Sequence, residues 1–182
     1  MGNWLSFWIT AAYLALLGVL SYLIGEAIPK SRFHPDRFPF TPRRWEKGGK
    51  LYDWFGIRRW KDRVPDMSRV FTKRMIPKRF GKCPNAEECA ALAIETCRAE
   101  AVHTVLCFLS IPLIFFWSER LIGVLVMLID ILANLPFIMI QRYNRPALLA
   151  LENRLRLREQ RRIEKAEGGK AAYVDQDTHS VC

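Results

Sequence analysis

The chain has 182 residues, is 51% hydrophobic and 12% aromatic, and carries a formal net charge of +10. A chain this apolar is not a disordered basic segment. Its apolar residues gather into three long runs and its charges into two stretches, which also excludes an ordinary soluble enzyme. The length suits one domain.

The first run, residues 4–28, reads WLSFWITAAYLALLGVLSYLIGEAI and holds one charge, Glu26. At about 1.5 Å per residue it is long enough to cross a ~30 Å hydrocarbon layer. No Lys or Arg precedes it, and it is too long for the apolar core of a cleaved leader. It is therefore expected to be an uncleaved transmembrane anchor.

Residues 29–88 hold seventeen Lys or Arg against seven Asp or Glu. PKSRFHPDRFPFTPRRW, residues 29–45, is rich in proline and arginine and predicts extended backbone. LYDWFGIRRWKDRVPD follows, with Trp54, Phe55, Ile57 and Trp60 interleaved with Arg58, Arg59, Lys61 and Arg63. Such a pattern can stack on nucleic-acid bases. Beside three apolar runs it instead predicts an interfacial segment, with rings at headgroup depth and cations toward anionic lipid, and no nucleic-acid partner.

The second long helix is expected over residues 90–117, with Pro112 as a kink, and the third over residues 121–140. Three polar residues, 118–120, join them, so the two read as an antiparallel membrane hairpin. The tail, residues 141–182, holds nine basic and six acidic residues. It reads as helical over LLALENRLRLREQRRIEKAE and as a loose end from residue 168. The positive-inside rule puts residues 29–88 and the tail in the cytoplasm, with the N-terminus and the short link outside. The expected fold is thus an all-α, multi-pass integral protein of the cell membrane. It is a single membrane domain with three transmembrane helices and a basic, aromatic-rich interfacial segment between the first and second.

The five cysteines follow neither a disulfide nor a metal pattern. Cys83 and Cys89 have no histidine at zinc-like spacing, so free thiols and no metal are expected.

IETCRAEAVH, residues 94–103, carries charge into the second apolar run. At 100° per residue Thr96, Glu100, His103 and Cys107 share one stripe. Glu95 and Arg98, three apart, point elsewhere and are expected to form a structural ion pair. On the third helix Asp130, Asn134, Phe137 and Gln141 form a facing stripe, though spacing does not say whether Asp130 reaches His103. Two readings of these groups stand side by side. In one, His103 is a general base oriented by Glu100 one turn before it. In the other, the polar groups satisfy one another and specify helix packing.

LYDWFGIRRWKDRVPD, IETCRAEAVH and ANLPFIMIQRYNRPAL, in that order, resemble the glycosyl-4,4'-diaponeurosporenoate acyltransferases, small bacterial membrane enzymes of carotenoid synthesis. The resemblance covers roughly residues 45–150, and QRYNRP is its most specific element. It implies transfer of a long acyl chain to a hydroxyl on the sugar of a carotenoid glycoside. Acyl transfer to an alcohol requires a base for the hydroxyl proton and donors for the oxyanion. His103 and Glu100 suit the first task. Arg142, Asn144 and Arg145 suit the second, or hold the phosphates of an acyl-CoA. Tyr143, Asn134, Arg58 and Trp60 also lie on the family's motifs and complete the expected substrate- and donor-binding set. No bound cofactor is implied, since acyl-CoA or a phospholipid enters as donor substrate. Membrane lipids and a lipidic acceptor are the expected partners, with oligomeric state open. No Ser or Cys sits in a nucleophile motif, which favours direct transfer. The alternative is a non-catalytic membrane scaffold or lipid-binding subunit.

Overall fold

A computed structural model of the chain describes residues 3–64 and 85–179, with side chains through residue 167. Residues 65–84, including Cys83, and residues 180–182, including Cys182, lie outside the described residues.

α1 (Asn3–Ala27) is followed by a run of short elements: 3-10 turns at Lys30–Arg32 and Arg44–Gly49, α2 (Lys50–Trp54), α3 (Ile57–Trp60) and a further 3-10 turn at Lys61–Arg63. α4 (Ala86–Leu109), a 3-10 turn at Ile111–Phe115 and α5 (Arg120–His179) complete the order. No strand occurs among the described residues. Asn3–Ala27, Ala86–Phe115 and Arg120–Glu167 are long and apolar enough to cross a membrane. They turn large apolar side chains outward: Trp4 is 73% exposed, Phe108 67% and Ile129 65%. In water such surface would be costly; against lipid it is ordinary.

α4 starts where Asn85 caps it, its side chain accepting from the Glu88 amide at 2.8 Å. Glu87 and Glu88 in the first turn complement the dipole. The helix stops at Leu109, short of the expected residue 117. Pro112 has no amide hydrogen and its ring crowds the carbonyl four residues back, so the chain tightens into the 3-10 turn. The link to α5 is close enough to demand glycine. A Cβ on Gly123 would sit 2.5 Å from the Ile114 carbonyl oxygen.

α5 runs past residue 140 as one helix of 60 residues, through Pro136 and Pro146. The expected loose end is helical backbone as far as His179. Each proline removes one backbone bond, but packing against α4 holds the helix around them.

The three long helices alternate in direction. Trp117 Nε1 donates to Thr10 Oγ1 at 3.1 Å, and Tyr13 donates to the Leu109 carbonyl at 2.7 Å. At the opposite end Arg98 Nη1 reaches the Gly25 carbonyl at 3.3 Å. The start of α1 and the 118–120 link therefore share one end of the molecule. The short elements, the start of α4 and the middle of α5 share the other. The buried apolar core sits at that second end, in two clusters. Tyr52 and Ile57 pack on Ile140, and Leu92 and Ala93 pack on Leu148.

Candidate active site

The Glu95–Arg98 pair forms at 2.7 Å, as the spacing predicts, but inside a larger network. Arg98 also meets Glu26 of α1 at 2.9 Å, and Lys30 meets Glu95 at 2.8 Å. Two acids and two bases thus cancel where the end of α1 and the turn after it meet α4.

On the other face of α4 the predicted stripe meets α5. Both Glu100 carboxylate oxygens are taken by arginines: Arg142 Nη1 donates to one and Arg145 Nη2 to the other. Glu100 therefore spends both oxygens on α5. His103 Nδ1 meets Asn134 Oδ1 at 2.9 Å, and Asn134 Nδ2 donates to the Asp130 carbonyl at 3.0 Å. Asp130 enters through its backbone oxygen, one link behind Asn134. Phe137 stacks on the imidazole with centroids 4.5 Å apart and planes at 10°. Glu100 prefers the arginines because a buried carboxylate gains more from two guanidiniums than from one imidazole.

The two arginines differ. Arg145 is 1% exposed, and all three of its nitrogens are spent on protein. Nε donates to Thr96 Oγ1 at 2.9 Å, Nη1 to the Phe40 carbonyl at 2.6 Å, and Nη2 to Glu100. It clamps Thr96 and Glu100 of α4 to the Phe40 backbone. Arg142 donates through Nε to Glu46 and through Nη1 to Glu100, while its buried Nη2 has no acceptor among the described residues.

Glu46 was not singled out in the sequence, where it is one acid among many bases. It is 1% exposed. Its Oε1 accepts from Tyr52 at 2.7 Å as well as from Arg142, and Oε2 accepts from the Arg43 amide at 2.7 Å. Burial by itself would push this carboxyl up, but the bonds from Arg142, Tyr52 and the Arg43 amide outweigh it and hold it below its usual 4.5. Burial and the neighbouring Glu46 push the Tyr52 hydroxyl above its usual 10, so it stays a donor. Gly49 makes this docking possible. Its φ is +94°, and a Cβ there would stand 3.2 Å from the Tyr143 carbonyl.

The remaining expected residues are dispersed. Arg58 pairs with Asp53 through two contacts of 2.8 Å and reaches the Tyr143 hydroxyl at 3.2 Å. The Asp53 bond, then the Tyr143 bond, raise its already high pKa. Tyr143 also lies under Lys61, 5.2 Å from its ring centre. Asn144 is buried and accepts from Lys61 at 3.4 Å, and its Nδ2 has no partner among the described residues. Trp60 packs on the Tyr52 cluster and donates to the Phe55 carbonyl at 3.0 Å, whereas Trp54 is 82% exposed. Of the two tryptophans expected at the membrane surface, Trp54 is exposed and Trp60 half-buried. Cys89 and Cys97 are buried free thiols, and Cys107 is a half-buried one.

Residues 35–154 match the family model described as glycosyl-4,4'-diaponeurosporenoate acyltransferase. Among similar curated proteins are glycosyl-4,4'-diaponeurosporenoate acyltransferases of Staphylococcus aureus strains bovine RF122 / ET3-1 and N315. Each is 32% identical over 140 residues, covering 76% of this chain and 82% of its own length. That of strain MRSA252 is 31% identical over the same span. No solved structure matches the chain. The matched stretch takes in Glu46, Glu100, His103, Arg142 and Arg145 but leaves out Glu26 and Lys30, so the α4–α5 cluster falls within it and the α1 network only in part. On this match the chain belongs to the glycosyl-4,4'-diaponeurosporenoate acyltransferase family and is an acyltransferase.

Proposed function

We propose that the chain is a multi-pass enzyme of the cell membrane that moves a long-chain acyl group onto a hydroxyl of a lipidic acceptor. The relatives' names point to the sugar of a carotenoid glycoside as that acceptor. Residues 29–64 and the polar half of α5 lie on the cytoplasmic side. The donor is an acyl-CoA thioester or a phospholipid ester.

The observation that carries this reading is the chain from His103 through Asn134 to the Asp130 carbonyl. Because Asn134 Nδ2 donates to that carbonyl, its Oδ1 is the atom turned to His103, and an amide oxygen only accepts. Nδ1 therefore carries the hydrogen and Nε2 the lone pair, the tautomer a general base needs. The acceptor hydroxyl gives its proton to Nε2 as its oxygen bonds to the acyl carbonyl carbon. The carbonyl π pair moves onto oxygen. When the tetrahedral intermediate collapses, the bond to the thiolate or alkoxide breaks, and that leaving group takes the proton back from His103.

The test is acyl transfer by purified His103→Ala, with acceptor glycolipid and each donor type supplied in turn. Activity should fall by about 10²-fold or more, the scale for losing a general base, with the melting temperature unchanged. Near-native transfer would remove His103 as the base and leave that cluster as packing glue.

A further inference from the structure

Arg142 has one buried guanidinium nitrogen, Nη2, without a hydrogen-bond acceptor among the described residues. Nε and Nη1 are spent on Glu46 and Glu100, which leaves Nη2 over. Leaving a charged donor buried and unmatched is costly, and such a group in a folded protein needs a reason. The two carboxylates come from different parts of the chain. Glu100 sits on α4, and Glu46 sits in the 3-10 turn before α2. Between them they fix the guanidinium plane, so the direction of Nη2 is set before any ligand arrives.

We propose that Arg142 Nη2 holds the oxyanion of the acyl carbonyl in the transition state, and that Glu46 is the positioning residue that aims it. The donor class is any acyl thioester or oxygen ester whose carbonyl oxygen becomes negative on attack. This inference rests on the acyl-transfer reading above. A fixed donor directed at developing charge in a dry site is worth far more than a mobile one in water, because nothing reorganises at the moment of reaction. Arg142 alone, on a flexible stem, would not be fixed in this way. Glu46 is itself held by Tyr52 and the Arg43 amide, so the whole turn acts as the brace. Glu100 is a poorer candidate for the dedicated role because it also neutralises Arg145.

The experiment measures kcat and KM of the full chain for Glu46→Gln, Arg142→Lys and the double variant. Palmitoyl-CoA and phosphatidylglycerol vesicles serve as the two donor probes. Arg142→Lys should lower kcat by about 10²- to 10³-fold, the scale for one oxyanion donor. Glu46→Gln should lower kcat by roughly tenfold or more, with KM changed little. In the Arg142→Lys background it should add no further loss of kcat, because it acts through that side chain. Losses that multiply, or a Glu46→Gln enzyme with native kcat, would overturn the proposal. If Glu46→Gln does not fold, Tyr52→Phe is read instead. A fall in kcat at native KM supports the proposal, and native kcat with a lowered melting temperature overturns it. His103→Ala run in parallel separates the failures. An inactive His103→Ala beside a fully active Glu46→Gln sinks only this inference, whereas an active His103→Ala sinks the general-base assignment beneath it.

Discussion

Asn134 and His103 meet across the antiparallel pair of α4 and α5, Oδ1 to Nδ1 at 2.9 Å, with Asn134 anchored on the carbonyl of its own helix one turn back. On the reading proposed above, the carboxamide selects the imidazole tautomer, as a carboxylate does in a catalytic triad. It does so without placing a further charge at membrane depth, which would be expensive.

Asn134→Leu fills similar volume but removes the acceptor. The imidazole then loses its reason to keep the hydrogen on Nδ1. Acyl transfer should fall roughly tenfold or more, with folding little affected because Phe137 still stacks on the ring. Steady-state rates beside melting curves check it. A native rate would mean that Asn134 serves packing alone.

Glu100 should behave in the opposite way. It joins two arginines and is buried among them. Removing one partner of a buried ion pair costs about 3–5 kcal/mol, because the other charge is left uncompensated. Glu100→Ala is expected to lose stability on that scale, seen in denaturant unfolding in micelles, before its activity can be read. If its unfolding midpoint matched the native one, the cluster would be far wetter than its burial implies.

The long helices were legible in the sequence because hydrophobic length and charge asymmetry are properties of composition, and lipid as solvent leaves few alternatives. The stripe of Thr96, Glu100 and His103 was legible for the same reason: helical period puts them on one face. Partner choice was not. Glu100 and His103 are one turn apart on one helix, and period cannot say that residues 42 and 45 positions further on would claim the carboxylate. Glu46 was hidden more deeply. It lies in an irregular stretch with no period, and its partner stands 96 residues away. The only local hints were Tyr52 six residues on and the paired glycines at 48 and 49, which let the turn approach α5.

The lowered pKa of Glu46 fixes the sign of an acid effect. A carboxyl whose folded value lies below its usual 4.5 contributes stability that is complete above that value and lost as pH falls through the folded one. The difference in melting temperature between native protein and Glu46→Gln should therefore be constant from about pH 5 to pH 8 and close only at pH below 4.5. A gap that closed near neutrality would mean that the Glu46 carboxyl is raised, and that burial outweighs its bonds.

Topology is the last expectation, and burial decides how to test it. The alternating helices put the 118–120 link at one end and the polar half of α5 at the other. With basic residues concentrated at the second end, the positive-inside rule predicts that end in the cytoplasm. Cys89 lies at that end, but its side chain is fully buried, so its failure to react would report packing and say nothing about sidedness. Introduced thiols serve better. In a chain stripped of native cysteines, Glu119→Cys in the link and Leu157→Cys on α5 both occupy exposed positions. An impermeant maleimide added to intact cells should label the first and spare the second, and lysis should make the second reactive. Labelling at Leu157→Cys with protection at Glu119→Cys would invert the protein in the membrane. The Glu46–Arg142 site would then face the outside, where no acyl-CoA is available, and a phospholipid would be the one donor left.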